Sequence, residues 1–368
     1  MFDVDWNDTF ILIMKIAVIA VFAARFIVLR KDLTLQKVFF ILLFTTPCVI
    51  CYLYLGKYYA LAEFGWLIAG AFDIDFKRIA RLYFALSCSI MIVTIVCAQM
   101  GIIENLVFYS GDFARYSFGF IYPTDFTAHI FFTCMVWVYI RQSRLSWPEI
   151  GIIGALGVFS FAMCHARTNS ICLILSAVIL LIAKLLHKDG GFGQKLSKVL
   201  SISAVAVNGF CAVFMILLTY YYNASNTFMS TMNTVLSNRL ELGRIGFDKY
   251  NVTLFGQYVK MHGLGGNETA PSNYFYLDSS YVNTLLRYGL VVTAAALLCF
   301  LIIGIRAAKT RDSYLLIILV LISVQCMIEH HMLALAYDPF IFLITASSMP
   351  ARRISSAQSK KHRSSRKR

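Results

Sequence analysis

Four arginines, Arg115, Arg167, Arg239 and Arg244, stand in polar stretches flanked by strongly apolar ones. The first lies in FARYSFGFIYPTDFTAH (Phe113 to His129), where aromatics, Pro123, Asp125 and His129 lead into an apolar run. A charge at membrane level is expensive, so an arginine kept there is by default a candidate functional group. The alternative for each is that it snorkels to lipid phosphate or pairs with a nearby acid. A second group lies in QCMIEHHMLALAYDPF, which contains Glu329, His330, His331 and Asp338. Adjacent histidines suggest a metal. On a helix, however, consecutive residues point about 100° apart, and no His/Cys/Glu set at ligand spacing accompanies them. The residues therefore read as a polar cluster lining an outer cavity, with no metal.

The elements that must position these groups are membrane helices. Mean hydropathy is +0.70, 59% of residues are hydrophobic and 14% are charged, outside the range of soluble domains. Apolar runs recur at the length a helix needs to cross a bilayer, and in hydrocarbon such runs must be helical to satisfy their backbone. They predict an all-α, polytopic integral membrane protein of about eleven transmembrane helices. The spans fall at about 10–29, 37–55, 58–72, 80–100, 123–140, 148–164, 168–186, 199–220, 281–304, 313–328 and 334–349. The third and last are short or interrupted. Residues 148–186 form either one broken helix or a tight hairpin around CHARTNS. The first run is too long for a signal-peptide core and is expected to be retained. The ten cysteines are scattered through apolar runs without a CxxC pair and read as small buried residues.

Charge orients the map. With the acidic N-terminus outside, the segments 30–37, 73–81, 141–147, 184–198, 306–312 and 351–368 are cytoplasmic and hold 23 of the 33 lysines and arginines. That asymmetry follows the positive-inside rule and puts the C-terminus in the cytoplasm. The four arginines then lie on the outer face. The chain divides into a bundle of about eight spans (1–220), a large extracytoplasmic loop (221–280), C-terminal spans (281–350) and a basic tail (351–368). The tail suits anionic lipid, and the net charge of +14 calls for no nucleic-acid partner.

In the large loop, Phe228, Met232, Val235, Leu236 and Leu240 recur at helical spacing. They predict an amphipathic helix on the membrane or over a cavity, broken at Gly243 and Gly246. HGLGGNETAPSNYFYLDSSY, further on, is polar and aromatic, as carbohydrate contacts often are. Its glycines form no complete phosphate loop.

This organisation resembles the Wzy-type polysaccharide polymerases, relatives of the O-antigen ligases. RYSFGFIYPTDFTAH is similar to the Arg-x-Ser-x-Gly-Phe…Pro-Asn segment of capsular polymerases, with Thr124 where Asn is usual. HARTNS is similar to their Ser-Arg-Thr turn, with Ala166 in place of Ser. NRLELGRIGFDKYNVTLFGQ resembles the arginine helix and Leu-Phe-Gly of the large loop, and LDSSYVNTLLRYGLV resembles the segment leading into the next span. IEHHMLALAYDPF is a fainter match to a Glu…Asn-Pro-Phe ending.

The resemblance implies a GT-C-like fold in a bacterial cytoplasmic membrane. It also implies an activity: undecaprenyl-diphosphate-linked repeat units are joined on the outer face into capsular polysaccharide, exopolysaccharide or O-antigen, without nucleotide sugar, metal or cofactor. Donor and acceptor are both lipid-linked glycans, and a flippase and a chain-length regulator are implied partners. Arginine suits the diphosphate leaving group, because its planar fork binds phosphate oxygens bidentately and keeps its charge. Arg115, Arg167, Arg239 and Arg244 are thereby implied as the clamp, with Tyr122 and His165 as further contacts. The ligases carry a histidine eleven residues before the glycine of the closing segment. That position here is Asp278, eleven before Gly289. Asp278 is either the base that takes the acceptor proton or the cap of the helix starting near Ser280; His262, Glu329 and His330 are reserves. Two other readings stay open. One is a ligase-like glycan transferase. The other is a transporter or flippase, to which Lys15, Arg25, Glu63, Arg287 and Asp338 in or near spans would belong.

Overall fold

The apolar runs close their backbone hydrogen bonds within themselves, and the chain is mostly helical. A computed structural model describes residues 8–29, 33–55, 61–110, 113–186, 190–264 and 272–347. The basic tail and Lys57 lie outside the described residues. The helices are α1 (Asp8–Leu29), α2 (Leu35–Leu55), α3 (Leu61–Gly70), α4 (Phe76–Gln99), α5 (Pro123–Arg141), α6 (Trp147–Cys164), α7 (Arg167–Leu186), α8 (Gly190–Tyr220), α9 (Thr227–Val235), α10 (Arg239–Lys249), α11 (Ser280–Thr310) and α12 (Ser313–Gln325). Among the described residues, four stretches are long and apolar enough to cross a membrane: α4, α6, Arg167–Leu185 of α7, and α11. α5 and α12 are buried along most of their length, as helices without a polar face must be. They form the centre, and α4, α6, α7, α8 and α11 pack around them.

Several expectations are corrected. Ten-residue α3 is about 15 Å long, too short to cross a hydrocarbon core of about 30 Å. Residues 148–186 form a hairpin, with His165 left-handed (φ 49°) at the turn. The all-α expectation agrees with the mostly helical chain, which also carries one short antiparallel pair, β1 (Val107–Ser110) and β2 (Phe113–Tyr116), Phe108 opposite Arg115.

The described part of the last predicted span, 334–347, is not an α-helix. It is irregular apart from a 3-10 turn at Phe340–Ile344. Pro339 lacks the N–H a helix needs, and the Asp338 carboxylate accepts instead from the Phe340 N–H at 2.9 Å, a local turn that competes with helix. Other elements satisfy the freed backbone. Tyr83 of α4 donates to the Tyr337 carbonyl at 2.6 Å, Arg306 of α11 to the Ile344 carbonyl at 2.7 Å, and Ser347 pairs with the chain before α4.

The amphipathic helix is two helices. Its break falls at Ser237 and Asn238, both at positive φ (53° and 64°), and α10 runs through Gly243 and Gly246. Those glycines let α10 lie against Thr219 of α8 and against Leu277 and Leu286. The apolar stripe divides accordingly: Leu236 and Leu240 are buried, while Phe228 and Val235 are 62% and 66% exposed.

α11 breaks at Gly289 (φ 82°, ψ 175°). The loop at 253–257 enters the break. Leu290 and Val291 donate to the carbonyls of Thr253 and Leu254 at 2.9 and 3.1 Å, and Gln257 donates to the Arg287 carbonyl at 3.0 Å. A β-carbon on Gly256 (φ 90°) would lie 2.3 Å from the Arg287 oxygen, and one on Gly289 2.3 Å from the Gly256 nitrogen. Gly256→Ala and Gly289→Ala are each expected to lower the thermal unfolding midpoint in detergent, since such backbone strain alone costs about 1–3 kcal/mol. Gly151→Ala, in open space on α6, is expected to leave it unchanged or raise it. Equal midpoints for all three variants would overturn this account of the break.

Candidate active site

The N-terminus of α5, the α6–α7 turn, the α9–α10 junction and the segments before α11 and after α12 enclose a cavity of about 740 Å³. Three of the four singled-out arginines line it. Arg115 is placed by β2 and donates through Nε to the Cys164 carbonyl at 3.2 Å. Arg167 begins α7, is exposed, and makes no side-chain hydrogen bond or ion pair among the described residues. Arg239 begins α10. Its Nη1 donates to the Ser237 carbonyl at 2.8 Å, its Nε to the Ile328 carbonyl at 3.4 Å, and its Nη2 lies 3.2 Å from Asp278 Oδ2.

Arg244 is the exception. It is paired with Asp248 one turn later (2.8 Å), lies over the Tyr220 ring and donates to the Tyr220 carbonyl. It ties α10 to the end of α8 and is no cavity group. His262 forms a backbone bridge with Phe275 and is not among the residues lining the cavity, whereas its neighbours Gly263 and Leu264 are. Tyr122, His165, Asp278, Glu329 and His330 all line the cavity. Asp278 does not cap α11. The cap position is Ser279, and no side chain bonds there.

The charges share a confined space. Burial lowers the Arg115 guanidinium, and Arg239 and Arg167 add to the effect. For Arg239 burial works the same way, but Asp278, Glu329 and Tyr274 outweigh it and hold the charge on. Burial also raises the Tyr276 and Tyr274 phenols, the latter to about 12, with Asp278 contributing to both. Such a constellation offers guanidiniums to an anion, with neutral phenols and the Asp278 carboxylate beside them.

Sequence reasoning missed Asn169, Tyr274, Tyr276 and Tyr337. Asn169 is buried and donates to the Thr124 carbonyl (3.0 Å) and to Thr127 Oγ1 (2.7 Å), fixing the α7 start against α5. It stands two residues after Arg167, so an asparagine on an otherwise apolar helix was the available signal. Of the aromatics in the first string, Phe120 is core and Phe118 packs on Phe126 and Phe159. His129 lies under Tyr337, ring centroids 4.0 Å apart, away from the lining. Arg25, which favoured a transporter, donates to the carbonyls that end α3 (Phe72, 2.6 Å). The side chains of Lys15 and Glu63 lie outside the description.

Arg167→Gln is expected to weaken binding of inorganic pyrophosphate to the detergent-purified protein about tenfold or more, the loss for a charge-assisted bond. Arg244→Gln should leave it within about twofold, since its partners are protein groups. Calorimetric titration reads both, and equal effects would remove the distinction. No known family, curated protein or solved structure matches this chain.

Proposed function

We propose that this protein is an integral membrane glycosyltransferase that elongates a lipid-linked glycan, joining repeat units carried on a polyprenyl diphosphate such as undecaprenyl diphosphate. The observation that carries the reading is the meeting of Arg115, Arg167 and Arg239 with Asp278 and Glu329 in one tyrosine-lined cavity. They come from five separate segments, and each segment is one of the strings that resemble the Wzy-type polymerases. In this reading ten helices and the irregular segment 326–347 lie in the bacterial cytoplasmic membrane, with the cavity on the outer face and the tail in the cytoplasm.

The chemistry follows from the placement. The acceptor hydroxyl attacks the anomeric carbon of the donor, the bond from that carbon to the diphosphate oxygen breaks, and the lipid diphosphate leaves with the charge. Arg115 and the unpaired Arg167 bind that charge where it develops, the arrangement in which fixed cations contribute most. Arg239 is held by Asp278 until an anion competes for it. A diphosphate drawing on Arg239 frees the Asp278 carboxylate to accept the hydroxyl proton, so binding and base are linked through one ion pair. A second cavity of about 440 Å³, wholly apolar apart from Thr133 and Glu149 among its polar side chains, lies between α4, α5 and α6. It suits a hydrocarbon chain whose head is in the polar cavity.

Protein in bilayers given a lipid-linked oligosaccharide is expected to produce a ladder of lengths without nucleotide sugar. Arg167→Ala should cut elongation on the order of 100-fold, the usual loss for one charge-stabilising donor. Asp278→Asn keeps a polar partner for Arg239 but cannot take the proton, and should stop elongation while leaving pyrophosphate binding in place. Substrate of unchanged length that moves between leaflets would replace the transferase with the transporter reading.

A further inference from the structure

We propose that Glu329, His330 and His331 form a binding site for one divalent transition-metal ion of the zinc class, open on its fourth side to the cavity. One ligating atom from each residue lies within 4.8 Å of the other two. The helical argument against such a site fails here, because α12 ends at Gln325 and the three residues follow on non-helical backbone. Consecutive side chains are then free to converge.

Two independent features point to a ligand. His331 Nε2 and His330 Nδ1 are buried without a hydrogen-bond partner. His331 Nε2 is 3.8 Å from Glu329 Oε2, too far for a hydrogen bond, and both side chains are within 5% of fully buried. Buried polar atoms without partners are rare in native proteins, and an ion between them would satisfy both rings and the carboxylate together. Donors about 2.1 Å from a tetrahedral ion stand about 3.4 Å apart, so closing on one needs only a small turn of these side chains.

The surroundings are built to hold the geometry. Ser280 Oγ donates to the Glu329 carbonyl at 2.5 Å and accepts from the Met332 N–H at 3.1 Å, clamping the backbone on both sides of the histidines. The His331 ring stacks on Tyr337 at 3.7 Å. Tyr276 Oη lies 3.5 Å from His330 Nε2, the outer contact that leaves the opposite ring nitrogen for a metal. Two imidazoles and a carboxylate select zinc, or an ion of similar preference, over magnesium or calcium. Arg239 and Arg115 oppose a cation nearby, but Arg239 is paired with Asp278, and Asp125 lines the same cavity. Glu329 and His330 both face the cavity, so the fourth position is available to water or to an anion oxygen. The resemblance implies transfer without a metal, so an ion here would set this chain apart. The site rests on its own residues and does not depend on the transferase reading.

The test uses the full chain in detergent, stripped with chelator, reloaded with zinc and dialysed. Elemental analysis is expected to find about one zinc per chain, and cobalt(II) should give the visible absorption of a low-coordinate nitrogen/oxygen site. Glu329→Gln, His330→Ala and His331→Ala should each lower zinc affinity about tenfold or more, whereas His165→Ala and His262→Ala should not. His331 is stacked in the core and its variant can fail to fold. His330, half-buried at the cavity wall, therefore carries the result: zinc should raise the thermal midpoint of the parent and not that of His330→Ala. Absence of stoichiometric zinc, or unchanged zinc affinity and midpoint shift in His330→Ala, would overturn the site. Neither readout involves glycan transfer, so this proposal and the transferase can fail separately.

Discussion

Every backbone N–H and C=O within an apolar surround must find a partner in the protein, and this chain builds its cavity where it meets that demand without helix. The two breaks are the clearest cases. At Gly289, α11 opens and the loop at 253–257 supplies the missing partners, so a segment distant in sequence is bonded to the helix that follows Asp278. After Gln325 the chain leaves the helix altogether, and side chains of α4, α10 and α11 take its carbonyls. Arg239 is both one of those donors and the partner of Asp278. Structural satisfaction of the irregular segment and placement of the cavity charges are therefore one network.

Periodicity and hydropathy made the helices legible, because an apolar run of sufficient length has few other ways to fold in hydrocarbon. They failed where a local rule overrode the run. Asp338-Pro339 ended what hydropathy alone would continue, and ten-residue α3 packs without spanning. Spacing also misjudged the large loop. The stripe from Phe228 to Leu240 fits one helix, yet Ser237 and Asn238 turn left-handed between its halves.

The site was legible in part for a different reason. Arg115, Arg167 and Arg239 are charges kept beside apolar runs, against the positive-inside map drawn from the sequence, and such an exception is visible in one dimension. Arg244 is such an exception too, but its acid partner four residues on and the Tyr220 ring make it an ordinary surface tie. A motif cannot show which of two arginines five residues apart points inward, because that depends on where α10 meets α8. The place of His262, bridged through its backbone to Phe275, is likewise set by tertiary pairing. The tyrosines at 274, 276 and 337 look like any interfacial aromatics in sequence and become wall residues only when their segments meet.

The Arg239–Asp278 pair also explains how so many like charges coexist. Arg115, Arg167 and Arg239 share one cavity, and unscreened guanidiniums in a partly buried space repel. Asp278, 3.2 Å from Arg239 Nη2, neutralises the most buried of them. Arg167 is thus exposed and without an ion-pair partner among the described residues, while Arg239 is held in an ion pair. An incoming anion meets the exposed charge first and must compete with a carboxylate for the second. That order favours a ligand with more than one anionic group, since a single negative charge satisfied by Arg167 has little to gain by displacing Asp278. In the proposed function a diphosphate supplies that second charge, and displacing Asp278 from Arg239 is the step that distinguishes it from a singly charged anion.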